Sequence, residues 1–146
     1  METSETRKPR ILIVDDEPVV LEVAAEVLGK NYSVDTAVNG IEGFNKAISG
    51  NYDLVVSDIV MPKANGIDML KYIRQEQGRK TPCVFMTGGT AELDLPKEID
   101  SLVKDYGDHV VVLRKPYRVD FLLQHVEDML AGKKPETYFP VDQTRR

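Results

Sequence analysis

The sequence predicts a doubly wound α/β domain, in which helices cover both faces of a five-stranded parallel sheet. Five short apolar runs alternate along the chain with stretches that have helical periodicity. Four of the five runs are continuous, which is typical of strands that helices cover on both sides, because neither side meets water. The 146 residues suit one compact domain of this kind.

The five apolar runs are the predicted strands. They cover residues 11–14, 33–37, 54–56, 83–86 and 110–113. Right-handed crossovers between parallel strands leave few topologies, and for five strands the flavodoxin-like order 2-1-3-4-5 is a common one. The only cysteine, Cys83, starts the fourth run and is interpreted as a buried small hydrophobic residue rather than a nucleophile.

Four apolar stripes with spacings of three and four predict helices after the first, second, third and fifth strands. The first stripe contains Val20, Val23, Ala24, Val27 and Leu28. The second contains Ile41, Phe44, Ala47 and Ile48, and the third contains Met69, Leu70 and Ile73. The last contains Val119, Leu122, Leu123, Val126, Met129 and Leu130. A glycine follows each stripe, and at Gly29 we expect a left-handed C-cap.

The segment between the fourth and fifth strands has the weakest periodicity. Pro96 suits the first turn of a helix that runs through Val103, because proline is tolerated where no helical N–H bond is needed. Residues 88–95 then form a loop without a regular pattern.

Composition and charge exclude several classes of function. No apolar stretch approaches the ~20 residues needed to cross a bilayer, and residues 1–8 are predicted to be a disordered arm rather than a secretory signal. The net charge of −5 leaves no basic footprint for nucleic acid. We therefore expect a cytoplasmic domain over residues 9–132 that contacts neither membrane nor nucleic acid directly. Residues 133–146 are expected to be a tail or the start of a linker.

Polar residues stand where the predicted strands end. Asp15 and Asp16 follow the first apolar run, Asp58 follows the third, Thr87 the fourth and Lys115 the fifth. In the order 2-1-3-4-5 the first and third strands are neighbours where the strand order reverses, and ligands bind at that point in such sheets. The sequence therefore predicts that the three aspartates converge at this edge.

Three converging carboxylates repel one another and favour a bound cation. Two unit charges ~4 Å apart interact by roughly 4 kcal/mol at an effective dielectric near 20. Oxygen ligands without His or Cys favour a hard ion, and we predict Mg²⁺. A carboxylate beside Mg²⁺, a lysine and a threonine can attack phosphorus and form an acyl phosphate. The alternative for Asp15 and Asp16 is that the pair only caps the next helix, as Asp16 could before Pro18.

Four motifs in the expected order resemble those of the receiver domains of two-component response regulators. The motifs are residues 11–18 (ILIVDDEP), residues 58–62 (DIVMP) with Gly66, residues 87–88 (TG) and residues 115–117 (KPY). The resemblance spans about residues 9–132, and all four motifs fall at predicted strand ends. It implies a domain that accepts a phosphoryl group and signals by changing shape.

The resemblance also implies a role for each acidic residue and for one main-chain group. Asp58 would be the phosphoacceptor and Asp16 a direct Mg²⁺ ligand, whereas Asp15 would hold the metal largely through water. The main-chain carbonyl of Val60 would complete the metal ligands that the protein supplies.

The remaining implications concern the phosphoryl group and the partners. Thr87 and Lys115 would bind the phosphoryl oxygens. A histidine kinase or a histidine phosphotransfer protein would donate the phosphoryl group, and a downstream protein or an output domain absent from this chain would detect the change. A phosphorylation-dependent homodimer is a further candidate. The chain would not be an enzyme beyond its own phosphorylation and dephosphorylation.

Three features depart from the family pattern. Val112 stands three residues before Lys115, where an aromatic residue is common, so a rotation of that residue is not expected to accompany movement of Thr87. Val60, two residues past the acceptor, has no polar group to position an attacking water, which predicts a slowly decaying acyl phosphate. The segment from Thr87 to Lys115 is also several residues longer than usual.

Three other functions fit the residues less well. A pseudo-receiver that signals by binding alone would not need the complete set of acidic, threonine and lysine residues. A phosphohydrolase with an aspartyl-phosphate intermediate needs a general acid two residues after the nucleophile, where Val60 stands. A flavin-binding protein needs a Gly, Ser or Thr phosphate cradle after the first strand, where Asp15 and Asp16 stand instead.

Overall fold

The fold is given by a computed structural model that describes residues 7–61, 65–87, 104, 109–114 and 118–133. The strands are β1 (Arg10–Val14), β2 (Ser33–Ala37), β3 (Leu54–Asp58), β4 (Cys83–Thr87) and β5 (Val110–Arg114). The helices whose bounds it describes are α1 (Pro18–Leu28), α2 (Gly40–Ser49), α3 (Gly66–Gln77) and α4 (Val119–Leu130).

All five strands pair in parallel and form one sheet in the order β2-β1-β3-β4-β5, which confirms the predicted flavodoxin-like fold. The third, fourth and fifth strands extend further toward their carboxyl ends than the apolar runs do. The additional residues are Ser57, Asp58, Thr87 and Arg114. They continue the strands because pairing uses main-chain groups, which polar residues also supply.

Alternate residues of the strands enter two separate cores, one on each face of the sheet. The core that α2 and α3 cover includes the strand residues Leu12, Val55, Cys83, Phe85 and Val112. The core that α1 and α4 cover includes the strand residues Ile13, Val56, Met86 and Leu113. All of these side chains are fully buried, as the continuous apolar runs predict. Burial also raises the pKa of the Cys83 thiol, which supports its interpretation as a core residue.

Two details of the helix predictions are wrong. Gly29 ends α1 with a φ of −66°, which is right-handed, whereas the left-handed glycines that follow helices are Gly78 after α3, with a φ of 66°, and Gly132 after α4, with a φ of 77°. Three residues assigned to apolar stripes are largely exposed, namely Val23 (48%), Ile41 (53%) and Val119 (42%). In α1, Leu21 is buried in place of Val23, because valines occur on both sides of this helix and their spacing alone does not select the buried side.

Several predictions concern residues outside those that the structure describes. They are residues 1–6 of the arm predicted over 1–8, the loop over 88–95, the helix from Pro96 through Val103, Lys115, and residues 134–146 of the tail predicted over 133–146. Across the described ranges, no helix combines the length and the apolar character that a bilayer crossing requires.

A polar cluster lies at the amino edge of the sheet, at the opposite end from Asp15, Asp16 and Asp58. The Tyr52 hydroxyl donates to Asp35 Oδ2 at 2.6 Å, and Arg10 Nη2 lies 3.3 Å from the same oxygen. The Arg10 guanidinium also lies 4.7 Å from the centroid of the Tyr52 ring. Burial, and then the hydrogen bond to Asp35, raise the pKa of Tyr52 to about 12. The folded chain therefore holds this hydroxyl proton more strongly than the unfolded chain does.

In the Tyr52→Phe variant we expect the free energy of unfolding to fall by about 1 kcal/mol at neutral pH, because Asp35 loses a hydrogen-bond donor. The pKa of Tyr52 in the folded chain lies above its ordinary value of 10.0. The stability that the Tyr52 hydroxyl contributes is therefore complete below pH 10 and is lost as the pH rises through the pKa of the folded chain. Urea unfolding of both proteins at stepwise increasing pH measures the effect. A difference between the two proteins that stays constant into strongly alkaline solution would contradict the expectation.

Candidate functional site

The register of the sheet brings the predicted acidic residues together at its carboxyl edge. Val14 of β1 pairs with Ser57 of β3, so the residues that follow them, Asp15 and Asp58, are neighbours on adjacent strands. Carboxylate oxygens of Asp15, Asp16 and Asp58 all lie within 4.8 Å of one another. The structure thus contains the convergence of side chains that the sequence predicts.

Asp15 is fully buried, and the turn into α1 holds its side chain. Asp15 Oδ1 accepts a hydrogen bond from the main-chain N–H of Glu17 at 2.9 Å, and the Asp15 N–H donates to the Ala37 carbonyl at 3.1 Å. Glu17 is the N-cap residue and Pro18 begins the helix. The capping alternative for Asp16 is therefore wrong, because the N-cap residue is Glu17, no side chain caps this helix, and the carboxylate that bonds to the turn belongs to Asp15.

Asp58 ends β3 and is 6% exposed. Its Oδ1 accepts a hydrogen bond from the Val60 N–H at 3.3 Å. The next main-chain N–H, that of Ile59, donates to the Met86 carbonyl of β4 at 2.9 Å. The main chain around Asp58 is thus fixed by the neighbouring strand, while its carboxylate lies at the same edge as Asp15.

Charge repulsion makes this acidic cluster a candidate cation site. Two unit charges at this separation interact by about 3–4 kcal/mol at an effective dielectric near 20, and two of the three carboxylates are nearly fully buried. The cluster offers only carboxylate oxygens, which hard cations prefer. Because Asp16 is exposed, the cluster is open to the water ligands that Mg²⁺ usually retains. The donor set therefore fits Mg²⁺.

Of the remaining predicted site residues, the structure describes Thr87, which ends β4, and Val60, which follows β3. Thr87 is the last residue of β4 and pairs with Arg114, the last residue of β5, so its main chain lies at the edge that holds Asp58. Lys115 follows Arg114 and lies outside the described residues. Val60 is 40% exposed, and the metal-ligand role of its carbonyl stays a prediction.

The start of α3 lies against the main chain of Asp58, a contact that the sequence did not predict. The Ser57 hydroxyl donates to the Asp58 carbonyl at 2.9 Å, and Gly66 begins α3 directly beside that carbonyl. Asn65 caps the helix by accepting a hydrogen bond from the Asp68 N–H at 2.8 Å. The available signal was Asn65, since asparagine is among the strongest N-cap residues and would have placed the helix start at Gly66.

A parallel sheet in this strand order, with three carboxylates where the order reverses, is the architecture of a receiver-type signalling domain. Comparison with known families agrees, because the model of the response regulator receiver domain matches residues 11–127. The chain belongs to this family, the receiver domains of two-component response regulators, which confirms the resemblance seen in the four motifs.

The curated relatives are longer than this chain. The transcriptional regulatory protein DltR of Streptococcus agalactiae serotype III (strain NEM316) is 36% identical over 118 residues, which cover 80% of this chain and 50% of that protein. The response regulator ArlR of Staphylococcus haemolyticus (strain JCSC1435) is 36% identical over 123 residues, which cover 82% of this chain and 52% of that protein. The chain thus spans about half the length of these relatives.

Solved structures show the same fold. The chemotaxis protein CheY4 of Vibrio cholerae has a TM-score of 0.72 at 27% identity and covers 84% of this chain and 98% of its own. The receiver domain of the hybrid histidine kinase CckA has a TM-score of 0.65 at 32% identity and covers 83% of this chain and 98% of its own.

Proposed function

We propose that this chain is the phosphoacceptor domain of a two-component phosphorelay and that Asp58 receives the phosphoryl group. The observation that carries the proposal is the convergence of Asp15, Asp16 and Asp58 at the carboxyl edge of the sheet. The donor is proposed to be a phosphohistidine of a histidine kinase or of a histidine phosphotransfer protein, in line with membership of the receiver family.

In the proposed transfer, a carboxylate oxygen of Asp58 forms a bond to phosphorus. The bond between phosphorus and the imidazole nitrogen of the donor breaks, and its electron pair stays with that nitrogen. Asp15, Asp16 and the Val60 carbonyl are proposed to join Asp58 in holding Mg²⁺, which supplies positive charge against the phosphoryl oxygens. The hydrogen bonds from Glu17 to Asp15 and from Val60 to Asp58 fix the two buried carboxylates before the donor arrives.

The response to phosphorylation is proposed to begin at Thr87 and Lys115, which would bind the phosphoryl oxygens. A downstream protein, or an output domain in a longer chain, would detect the resulting change of shape, and a phosphorylation-dependent homodimer is one form that the response could take. We propose that these events occur in the cytoplasm. A pseudo-receiver that acts without phosphorylation is not favoured, because the acidic cluster is complete.

The proposal is tested by incubating the chain with a small acyl-phosphate donor and measuring its intact mass. We expect the mass of a single added phosphoryl group with Mg²⁺ and no gain when a chelator removes the metal, because the three carboxylates then repel the anionic donor. A chain that gains no mass at any Mg²⁺ concentration would favour the pseudo-receiver instead.

Val60→Asn is expected to shorten the lifetime of the phosphorylated chain several-fold. Val60 is 40% exposed and its N–H bonds to Asp58, so a polar side chain at this position can hold a water beside the acyl phosphate, whereas valine cannot. The decay is measured by intact mass after the donor is removed. Val60→Ala is the matched control, since it stays apolar and should leave the lifetime unchanged. Equal lifetimes for the asparagine variant and the wild type would contradict the role given to Val60.

A further inference from the structure

Gly66 approaches the main chain of Asp58 more closely than any other residue type could. A Cβ atom added at Gly66 would lie 2.3 Å from the Asp58 carbonyl oxygen, 2.9 Å from Ser57 Oγ and 3.1 Å from a ring carbon of Phe85. The shortest of these contacts is to a main-chain atom, which cannot rotate aside as a side chain can. Any side chain at position 66 must therefore displace either the start of α3 or the peptide of Asp58.

Several hydrogen bonds fix the main chain at Asp58 and Ile59. The Ser57 hydroxyl, which is fully buried, donates to the Asp58 carbonyl at 2.9 Å. The Ile59 N–H donates to β4, and the Ile59 carbonyl accepts a hydrogen bond from the Gly66 N–H at 2.8 Å. The loop that leaves Asp58 is thus closed at Gly66, and the first residue of α3 rests on the carbonyl of the acceptor residue.

We propose that Gly66 and Ser57 are positioning residues for phosphoryl transfer, which together fix the main-chain carbonyl of Asp58 and thereby the direction of its carboxylate. The proposal rests on the proposed function of Asp58. Neither residue touches the phosphoryl group in this scheme, because both act through the Asp58 peptide. In-line transfer depends chiefly on the placement of the attacking oxygen, so a small rotation of this peptide reduces the rate.

The main test compares Gly66→Ala with the wild type at saturating Mg²⁺ and acyl-phosphate donor. We expect the rate constant of phosphorylation to fall at least about tenfold, because a misplacement of ~1 Å can cost ~100-fold in rate. Gly50→Ala is the matched control, since its added Cβ would lie 2.8 Å from a ring carbon of Tyr52, at the amino edge of the sheet and away from Asp58. The control should change the melting temperature but not the rate constant. An unchanged rate constant in Gly66→Ala would overturn the proposal.

Ser57→Ala keeps the proposal testable if Gly66→Ala does not fold. Removing the hydroxyl leaves residue 57 in β3 and removes the hydrogen bond that Ser57 donates to the Asp58 carbonyl. We therefore expect the rate constant of phosphorylation to be several-fold lower. Thr81→Val is its control, because Thr81 is also buried and its hydroxyl has no hydrogen-bond partner among the described residues. If both variants transfer the phosphoryl group at the same rate, the role of Ser57 is overturned.

If the wild type is never phosphorylated, the proposed function is refuted. The geometric part of this inference, that Gly66 and Ser57 fix the main-chain carbonyl of Asp58, is tested separately. The geometric part is then decided by amide chemical shifts in nuclear magnetic resonance spectra. In Gly66→Ala we expect the Asp58 and Ile59 amide signals to move more than in Gly50→Ala, since of these two glycines only Gly66 contacts that peptide. Unmoved signals would overturn the inference.

Discussion

Asp58→Asn is expected to abolish phosphorylation while leaving the fold intact. The amide of asparagine is nearly the same size as the carboxylate and still offers Oδ1 to the Val60 N–H, so the end of β3 should keep its position. The amide oxygen lacks the negative charge that makes a carboxylate a nucleophile toward phosphorus, and the site loses one of its three charges. Intact mass after incubation with the acyl-phosphate donor and Mg²⁺ should show no added phosphoryl group.

Asp68→Asn is the matched control for this loss. Asp68 is an exposed aspartate in the first turn of α3 and lies outside the acidic cluster, so its variant should gain the same mass as the wild type. If Asp58→Asn still gains the phosphoryl group, peptide mapping of the product would identify the true acceptor, and the proposed role of Asp58 would fail.

Asp15→Asn is expected to make the metal-free chain more stable by on the order of 2 kcal/mol. Asp15 is fully buried within 4.8 Å of two further carboxylates, so the loss of its charge relieves repulsion in the folded state. Asparagine keeps an oxygen that can accept the hydrogen bond from the Glu17 N–H, so the turn into α1 should not be disturbed. Urea unfolding in the presence of a chelator measures the change.

With Mg²⁺ we expect the wild type to be more stable than Asp15→Asn, the reverse of the order expected with a chelator. A cation that binds the folded wild type stabilises it by mass action, and a cluster with one charge fewer binds that cation more weakly. We therefore expect the wild type to gain stability steadily as Mg²⁺ is added and Asp15→Asn to gain little. If the wild type shows no gain with Mg²⁺, the acidic cluster does not bind this ion.

The fold could be predicted from the sequence because the central strands are buried on both faces. Continuous runs such as residues 11–14 admit few other interpretations once helical stripes separate them. The strand order then places Asp15 beside Asp58, so the acidic cluster followed from topology and from the position of each carboxylate at the end of its strand.

The sequence was less informative where two arrangements have nearly the same local pattern. In α1, Val23 and Leu21 both fit an apolar stripe, and only packing against the sheet selects Leu21 for burial. Gly29 permits a left-handed turn but does not require one, and the chain continues in a right-handed conformation there.

The contact between Gly66 and the Asp58 carbonyl could not be predicted from spacing, since it depends on the path of the intervening loop. The second sequence motif contains both Asp58 and Gly66, but their separation along the chain does not show that position 66 has no room for a side chain beside the Asp58 carbonyl. Coordinates are needed for such a contact because a loop of a given length can close in many ways.

Val60 has an exposed side chain that belongs to neither core, although it stands two residues from Asp58, the proposed acceptor. Substitutions there cost little folding energy, because surface side chains contribute little to packing. If the lifetime of an acyl phosphate on Asp58 depends on position 60 as proposed, one surface substitution can change how long a response lasts while the stability of the protein stays nearly the same.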